Sequence, residues 1–125
     1  MTNNQDLNRS NFDLEERTTE FAKRVIRLCR CLPKDSINNV LIDQIVRSAG
    51  SVGANYREAN DSLGRKDFVH KLKISRKEVK ETIHWLEIIE EANYKLKERM
   101  RLLKQEAVEI RNILSSIIIK MENKG

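Results

Sequence analysis

The chain has 125 residues, enough for one hydrophobic core and no second domain. Aromatics are only 5% and there is one Pro, while Leu, Ile, Glu, Lys and Arg abound, so the composition points to a mostly helical chain. A formal net charge of +5 permits a nucleic-acid or acidic-membrane partner without establishing one. No apolar stretch approaches the length of a membrane-crossing helix.

Residues 1–12 are polar and aperiodic and read as a mobile tail with no signal-peptide pattern, so a cytoplasmic location is expected. The helical domain is expected over residues 13–125. A first helix is predicted from about Asp13 to Leu32, with the seam Thr18, Phe21, Val25, Leu28 and Leu32 spaced alternately three and four apart. Pro33 ends it, because the residue before a proline avoids the helical region. Cys29 and Cys31 lie two apart on this helix and point to different sides, so they read as reduced thiols rather than a disulfide or a metal pair.

A second helix begins at Asp35 or Ser36, both good N-caps, and runs to about Asn60. Leu41, Ile45, Val52, Tyr56 and Ala59 form its apolar face. Beside that face Gln44, Ser48, Ser51, Asn55 and Glu58 make one polar stripe. Gly50 and Gly53 interrupt the same segment at about 1 kcal/mol each relative to Ala, which predicts close approach by another backbone.

Asn60 to Gly64 make a turn. A third helix is predicted over Arg65–Ala92, with Phe68, Leu72, Ser75, Val79, Thr82, Leu86 and Ile89 as its seam. A loop covers Asn93 to Lys95. The fourth helix runs from Leu96 to Met121 on the seam Leu96, Met100, Leu103, Ala107, Ile110, Leu114, Ile117 and Met121. Four amphipathic helices with short connections predict an all-α, antiparallel up-down-up-down four-helix bundle. Leu102, Val108, Ile113, Ile118 and Ile119 add apolar surface outside the last seam. They point either to self-association or to a wide core stripe.

Catalytic chemistry has little to work with. The Glu81–His84 and Asp67–His70 pairs have the spacing used in bundle di-iron sites, but both lie on one helix about four turns apart and cannot close around one metal pair. No nucleophile–base arrangement is indicated. The Gly-Ser-Val-Gly run lies within a helix and is a packing feature, not a phosphate loop. Neither a cofactor nor a metal is expected. Glu78, Glu81 and Trp85 lie on neighbouring turns of helix three. They are expected to pair with Arg47 or with the Ser51 and Asn55 stripe, forming a buried network that fixes register.

The basic stripes carry the strongest functional signal. Lys23, Arg27, Arg30 and Lys34 share one side of helix one, with no acid between Phe21 and Lys34. Lys66, Lys73, Arg76, Lys77 and Lys80 lie opposite the helix-three seam, and Arg65 to Lys80 holds seven Lys or Arg against two acids. Such unbalanced faces suit sequence-independent phosphate contact. The candidate phosphate-binding residues are Lys23, Arg27, Arg30, Lys66, Lys73, Lys77 and Lys80. No interleaved aromatics support base stacking.

The run Gln44, Arg47, Ser48, Ser51, Val52, Asn55 and Glu58 resembles the four-helix-bundle proteins of the 23S rRNA-intervening sequence protein family. Asp67-Phe68, the stretch Lys77-Glu78 through Glu81-Thr82 to Trp85-Leu86-Glu87, and the Leu32-Pro33-Lys34 corner fit the same family. The likeness covers roughly residues 18–122. Many members carry Glu-Gly at the end of helix two, where this chain has Glu58-Ala59. The resemblance implies an antiparallel bundle, a homopentamer shaped like an open barrel, and no catalytic residue. It implies fold-defining roles for Arg47, Ser51, Asn55, Glu58, Glu78 and Trp85. A branch similar in fold comprises accessory proteins of diversity-generating retroelements, which bind a reverse transcriptase and nucleic acid. The expected function is a non-enzymatic, oligomeric nucleic-acid-binding or RNA-associated accessory protein. The alternative is a scaffold for a polymerase-type protein. An enzyme would require a pocket with convergent titratable groups, a reading that His70 or His84 buried beside Glu81 or Cys29 would favour.

Overall fold

The computed structural model describes residues 14–124, so the tail expected over residues 1–12 lies outside the described residues. Among the described residues there are four α-helices, one short 3-10 turn and no strand. They are α1 (Leu14–Cys31), α2 (Ser36–Asn60), α3 (Arg65–Ala92) and α4 (Lys97–Glu122), with the turn at Tyr94–Leu96.

Each boundary has a local cause. Pro33 stops α1, and Lys34 Nζ donates to the freed carbonyls of Cys29 (2.9 Å) and Leu32 (3.0 Å). Lys34 is therefore a cap and not part of a free basic stripe. Asp35 opens α2 by accepting from the Asn38 N–H at 2.8 Å. Asn38 and Asn93 are buried and exchange side-chain amide hydrogen bonds at 3.0 and 2.8 Å. Asn38 also donates to the Pro33 carbonyl and Asn93 to the Ile89 carbonyl. This pair ties the α1–α2 corner to the turn that leads out of α3.

The seams converge on one core that includes Phe21, Val25, Ile45, Val52, Leu72, Val79, Leu86, Ile110 and Leu114. Four seam positions, Phe68, Leu96, Ile117 and Met121, are half-buried, and at two of them a neighbour takes the core place. Ile118 is buried while Ile117 is half-buried, and Val69 is buried while Phe68 is half-buried. A straight helix drifts about 20° per heptad from a strict 3.5-residue repeat, so a seam extrapolated over several turns slips by one residue.

α1 and α3 each pack on both α2 and α4, and among the described residues α1 and α3 make no close backbone approach to one another. Thr18 of α1 lies against Gly53 of α2, and Arg57 of α2 reaches Glu15 of α1 at 3.0 Å. Ser75 donates to the Val52 carbonyl at 2.7 Å and Thr82 to Ser48 Oγ at 2.9 Å, joining α3 to α2. Lys104 pairs with Glu90 at 3.1 Å, and Arg76 donates to Ser115 at 3.3 Å, joining α4 to α3.

The extra apolar residues of α4 resolve into two groups. Ile118 belongs to the core and Val108 and Ile113 are half-buried at its edges. Leu102 and Ile119 are exposed but 17 positions apart, roughly 25 Å along the helix, so they form no second stripe.

Candidate nucleic-acid interface

With the α3 seam turned into the core, a rotation of 100° per residue sends Lys66, His70, Lys73, Lys77, Lys80 and His84 to the outer face, and all six are exposed. Lys66 to Lys80 spans roughly 21 Å of helix. Lys73 is engaged, its ammonium 2.7 Å from Glu122 at the end of α4. Lys66, Lys77 and Lys80 make no ion pair among the described residues.

The stripe leads into a pocket of about 780 Å³ between the start of α3 and the end of α4. Arg65, Lys66, His70 and Lys73 line it with Glu122, over a floor of Val69 and Met121. Three permanent cations against one carboxylate leave the pocket positive. Arg65 and His70 are absent from the phosphate-binding candidates of the sequence, because their contribution here depends on where the end of α4 lies.

The α1 candidates behave differently. Lys23, Arg27 and Arg30 are all exposed, but Arg27 donates to Glu20 at 2.8 Å across two turns. The Glu20 carboxyl is held below its ordinary value, chiefly by that hydrogen bond, with Lys23 and Arg24 adding to it. The acid-free run from Phe21 to Lys34 is thus partly neutralised from just outside. Because α1 and α3 make no close backbone approach among the described residues, the seven candidate residues fall on two separate helices that are not neighbours.

The polar residues of α2 do not make one buried network. Of the stripe Gln44, Ser48, Ser51, Asn55 and Glu58, only Ser48 is fully buried, bonded to Thr82, while Gln44 is half-buried. Ser51 donates to the Arg47 carbonyl and Asn55 to the Ser51 carbonyl, so each satisfies itself on its own helix. Glu58 is exposed and accepts from Lys71 at 2.8 Å. Arg47 is 52% exposed; it hydrogen-bonds Glu81 and lies 3.5 Å from Glu78. Trp85 Nε1 donates to the same Glu81 at 3.0 Å. The Glu81 carboxyl is held below its ordinary value by the Trp85 hydrogen bond first and by Arg47 second. Glu78 Oε1 is buried without a hydrogen-bond partner, since two acids on successive turns face one guanidinium and Glu81 takes the better geometry. The buried polar contacts between α2 and α3 are those of Thr82 with Ser48 and of Ser75 with the Val52 carbonyl, beside the more exposed Arg47–Glu81 contact.

His70 and His84 are both exposed, and His84 stands edge-on to Trp85 with ring centroids 4.9 Å apart. Neither is buried beside Glu81 or Cys29. Among the described residues no group of three or more His, Cys, Asp or Glu could hold a metal ion, and no helix is long and apolar enough to cross a membrane.

No curated protein matches the chain. Among solved structures it is similar to a protein of unknown function from the S23 ribosomal protein family of Bacteroides thetaiotaomicron, determined at 1.70 Å resolution. The two are 38% identical with a TM-score of 0.76, covering 83% of this chain and 96% of the other. A family profile for 23S rRNA-intervening sequence proteins matches residues 10–116. With that match over most of the chain and a four-helix fold shared with a solved relative, this chain belongs to the 23S rRNA-intervening sequence protein family.

Proposed function

We propose that this protein is a non-enzymatic, self-associating accessory protein of the cytoplasm that binds nucleic acid, RNA first, through the outer face of α3. The carrying observation is the alignment of Lys66, Lys77 and Lys80 on one face with no ion pair among the described residues, Lys77 only adding to the field at Glu81, running into the cationic pocket at Arg65 and Lys73. Lysines placed this way contact phosphates as point charges and read no sequence. The link of the family's name to rRNA-intervening sequences supports RNA as the first ligand to test.

The framework is an antiparallel up-down-up-down bundle. In its support, Glu15 near the start of α1 meets Arg57 near the end of α2, and Glu58 near the end of α2 meets Lys71 near the start of α3. Self-association as a homopentamer, which the family resemblance implies, finds support at the other end of the bundle. There Ile37 (63%) and Tyr94 (75%) stand exposed next to the paired Asn38 and Asn93, with Val40 one turn further along α2. That same apolar end favours the second reading, a scaffold for a polymerase-type protein.

Replacing Lys66, Lys77 and Lys80 by Gln removes three phosphate contacts and leaves the core untouched. We expect weaker binding to all sequences alike, with each lost contact flattening the salt dependence by about one phosphate's worth. Unchanged affinity and unchanged salt dependence would remove the α3 face from consideration and leave the scaffold reading.

A further inference from the structure

The contact between α1 and α4 is the least extensive of the four neighbouring helix pairs, and its two halves carry opposite electrostatics. Toward the start of α1 it is clamped by attraction. Arg17 donates to both oxygens of Glu106 at 2.7 and 2.9 Å and to Glu109 at 2.8 Å. Toward the end of α1 the charges are alike. Arg24 and Arg27 of α1 and Arg99 of α4 line a 160 Å³ pocket floored by Leu28 and Leu103, and no carboxylate lines it. Arg27 pairs with Glu20, whose field also reaches Arg24, but Arg24 and Arg99 make no ion pair of their own among the described residues.

Like charges gathered across a helix interface repel, and the repulsion is stronger near apolar surface than in open water. Guanidinium groups cannot relieve it by losing a proton. An anion seated among them turns repulsion into a bridge. The planar donor forks of Arg24 and Arg99, with the N–H groups of Arg27 that Glu20 does not take, suit a tetrahedral anion with several oxygens. The leucine floor offers no acceptor for a cation, and the pocket is far too small for a helical duplex.

We propose that Arg24, Arg27 and Arg99 form a phosphate-binding site that bridges α1 to α4, so that binding locks α1 onto the bundle. The site lies on different helices from the α3 face and does not depend on the reading of that face. The phosphate has two possible sources, a free phosphate compound or a phosphodiester of single-stranded RNA, and the test separates them. Arg24 and Arg99 escape a sequence reading because they are 75 positions apart, each immediately before a core residue, Val25 or Met100.

The test is thermal unfolding of the full chain in pyrophosphate against sodium chloride at matched ionic strength, so that screening is held constant. Pyrophosphate should raise the Tm. Arg24→Gln and Arg99→Gln should each weaken the midpoint of that response roughly tenfold or more, as expected for loss of a charged hydrogen-bond donor. Arg99→Glu gives Arg24 and Arg27 a carboxylate in place of the anion. It should raise the Tm without ligand and abolish the response to pyrophosphate. Lys120→Gln, at an exposed lysine of α4 outside the pocket, should leave the response intact. A short single-stranded RNA added to the Lys66, Lys77 and Lys80 variant assigns the source. A Tm rise that requires Arg24 and Arg99 identifies a phosphodiester, and its absence alongside a pyrophosphate response identifies a free phosphate compound. No pyrophosphate shift at matched ionic strength, a shift that both Gln variants retain, or a lower Tm in Arg99→Glu would each overturn the proposal.

Discussion

A methyl group added at Gly53 would stand 2.9 Å from Thr18 Oγ1 and 3.3 Å from Thr18 Cβ. Thr18 is buried, and its hydroxyl is bonded to the carbonyls of Leu14 (2.9 Å) and Glu15 (3.0 Å), so it has no cheap rotamer to retreat into. Nothing lies within 4 Å of a methyl group added at Gly50. The two substitutions to Ala should therefore have opposite signs by denaturant unfolding. Gly53→Ala should destabilise by roughly 1–3 kcal/mol as overpacking, and Gly50→Ala should stabilise by about 0.5–1 kcal/mol through helix propensity. Equal effects would contradict the assignment of close packing to Gly53 alone. The cysteines divide in the same way. Cys29 is buried, and its burial pushes the thiol up to about 11, against a smaller opposing effect of Lys34, whereas Cys31 is exposed. Alkylation of the native protein near pH 8 should modify Cys31 and spare Cys29, as read by mass spectrometry of the digested product. Labelling of both thiols at similar rates would show that the end of α1 opens readily.

At the scale of the helices, the pairing of α2 with α3 shows what the sequence made legible. The starts of both helices were readable because Pro33, Asp35 and Gly64 act on their own neighbours. Burial of most seam residues was readable because periodicity alone decides which side faces inward. The partner of Glu81 was narrowed to Arg47 or the Ser51 and Asn55 stripe, and the structure places Arg47 there. The division of the polar stripe was not readable. Whether Ser51 bonds its own helix or a neighbour depends on interhelical distance, which spacing does not report. The same holds for Arg17 with Glu106, 89 positions apart, and for Asn38 with Asn93, 55 apart. The Glu81 contact yields a pH prediction. Its carboxyl is depressed below the ordinary 4.5 in the folded state, so it contributes stability above pH 4.5. That contribution is lost as the pH falls from 4.5 through the lower folded value. Glu81→Gln should thus destabilise the protein more at pH 7 than at pH 3, by urea unfolding. An equal loss at both values would mean that the carboxylate charge has no part in the contact.

At the scale of the whole molecule, the ring order of the helices governs what the basic residues can do together. Read in one dimension, the α1 and α3 stripes look like parts of one surface. In the bundle they face apart, because α1 and α3 are not neighbours. A single strand following the α3 face meets Lys66, Lys77 and Lys80, and contact with Lys73 requires displacing Glu122. The α1 face has less free positive charge to offer, because Glu20 already engages Arg27. A self-associated form would repeat the α3 face around its symmetry axis and multiply weak contacts without adding any new one. The expected signature is therefore modest affinity per subunit, little sequence preference and a strong response to salt.

The measurement that bears most directly on this account is the affinity of the purified protein for single-stranded RNA and duplex DNA across a salt series. Three lysine–phosphate contacts per subunit predict a log–log slope of about −3 on duplex DNA and about −2 on a single strand, steeper where several subunits engage one molecule. The slope should flatten toward zero in the Lys66, Lys77 and Lys80 variant. No binding to either nucleic acid at low salt would contradict the account and make the exposed apolar end at Ile37 and Tyr94 the surface to pursue.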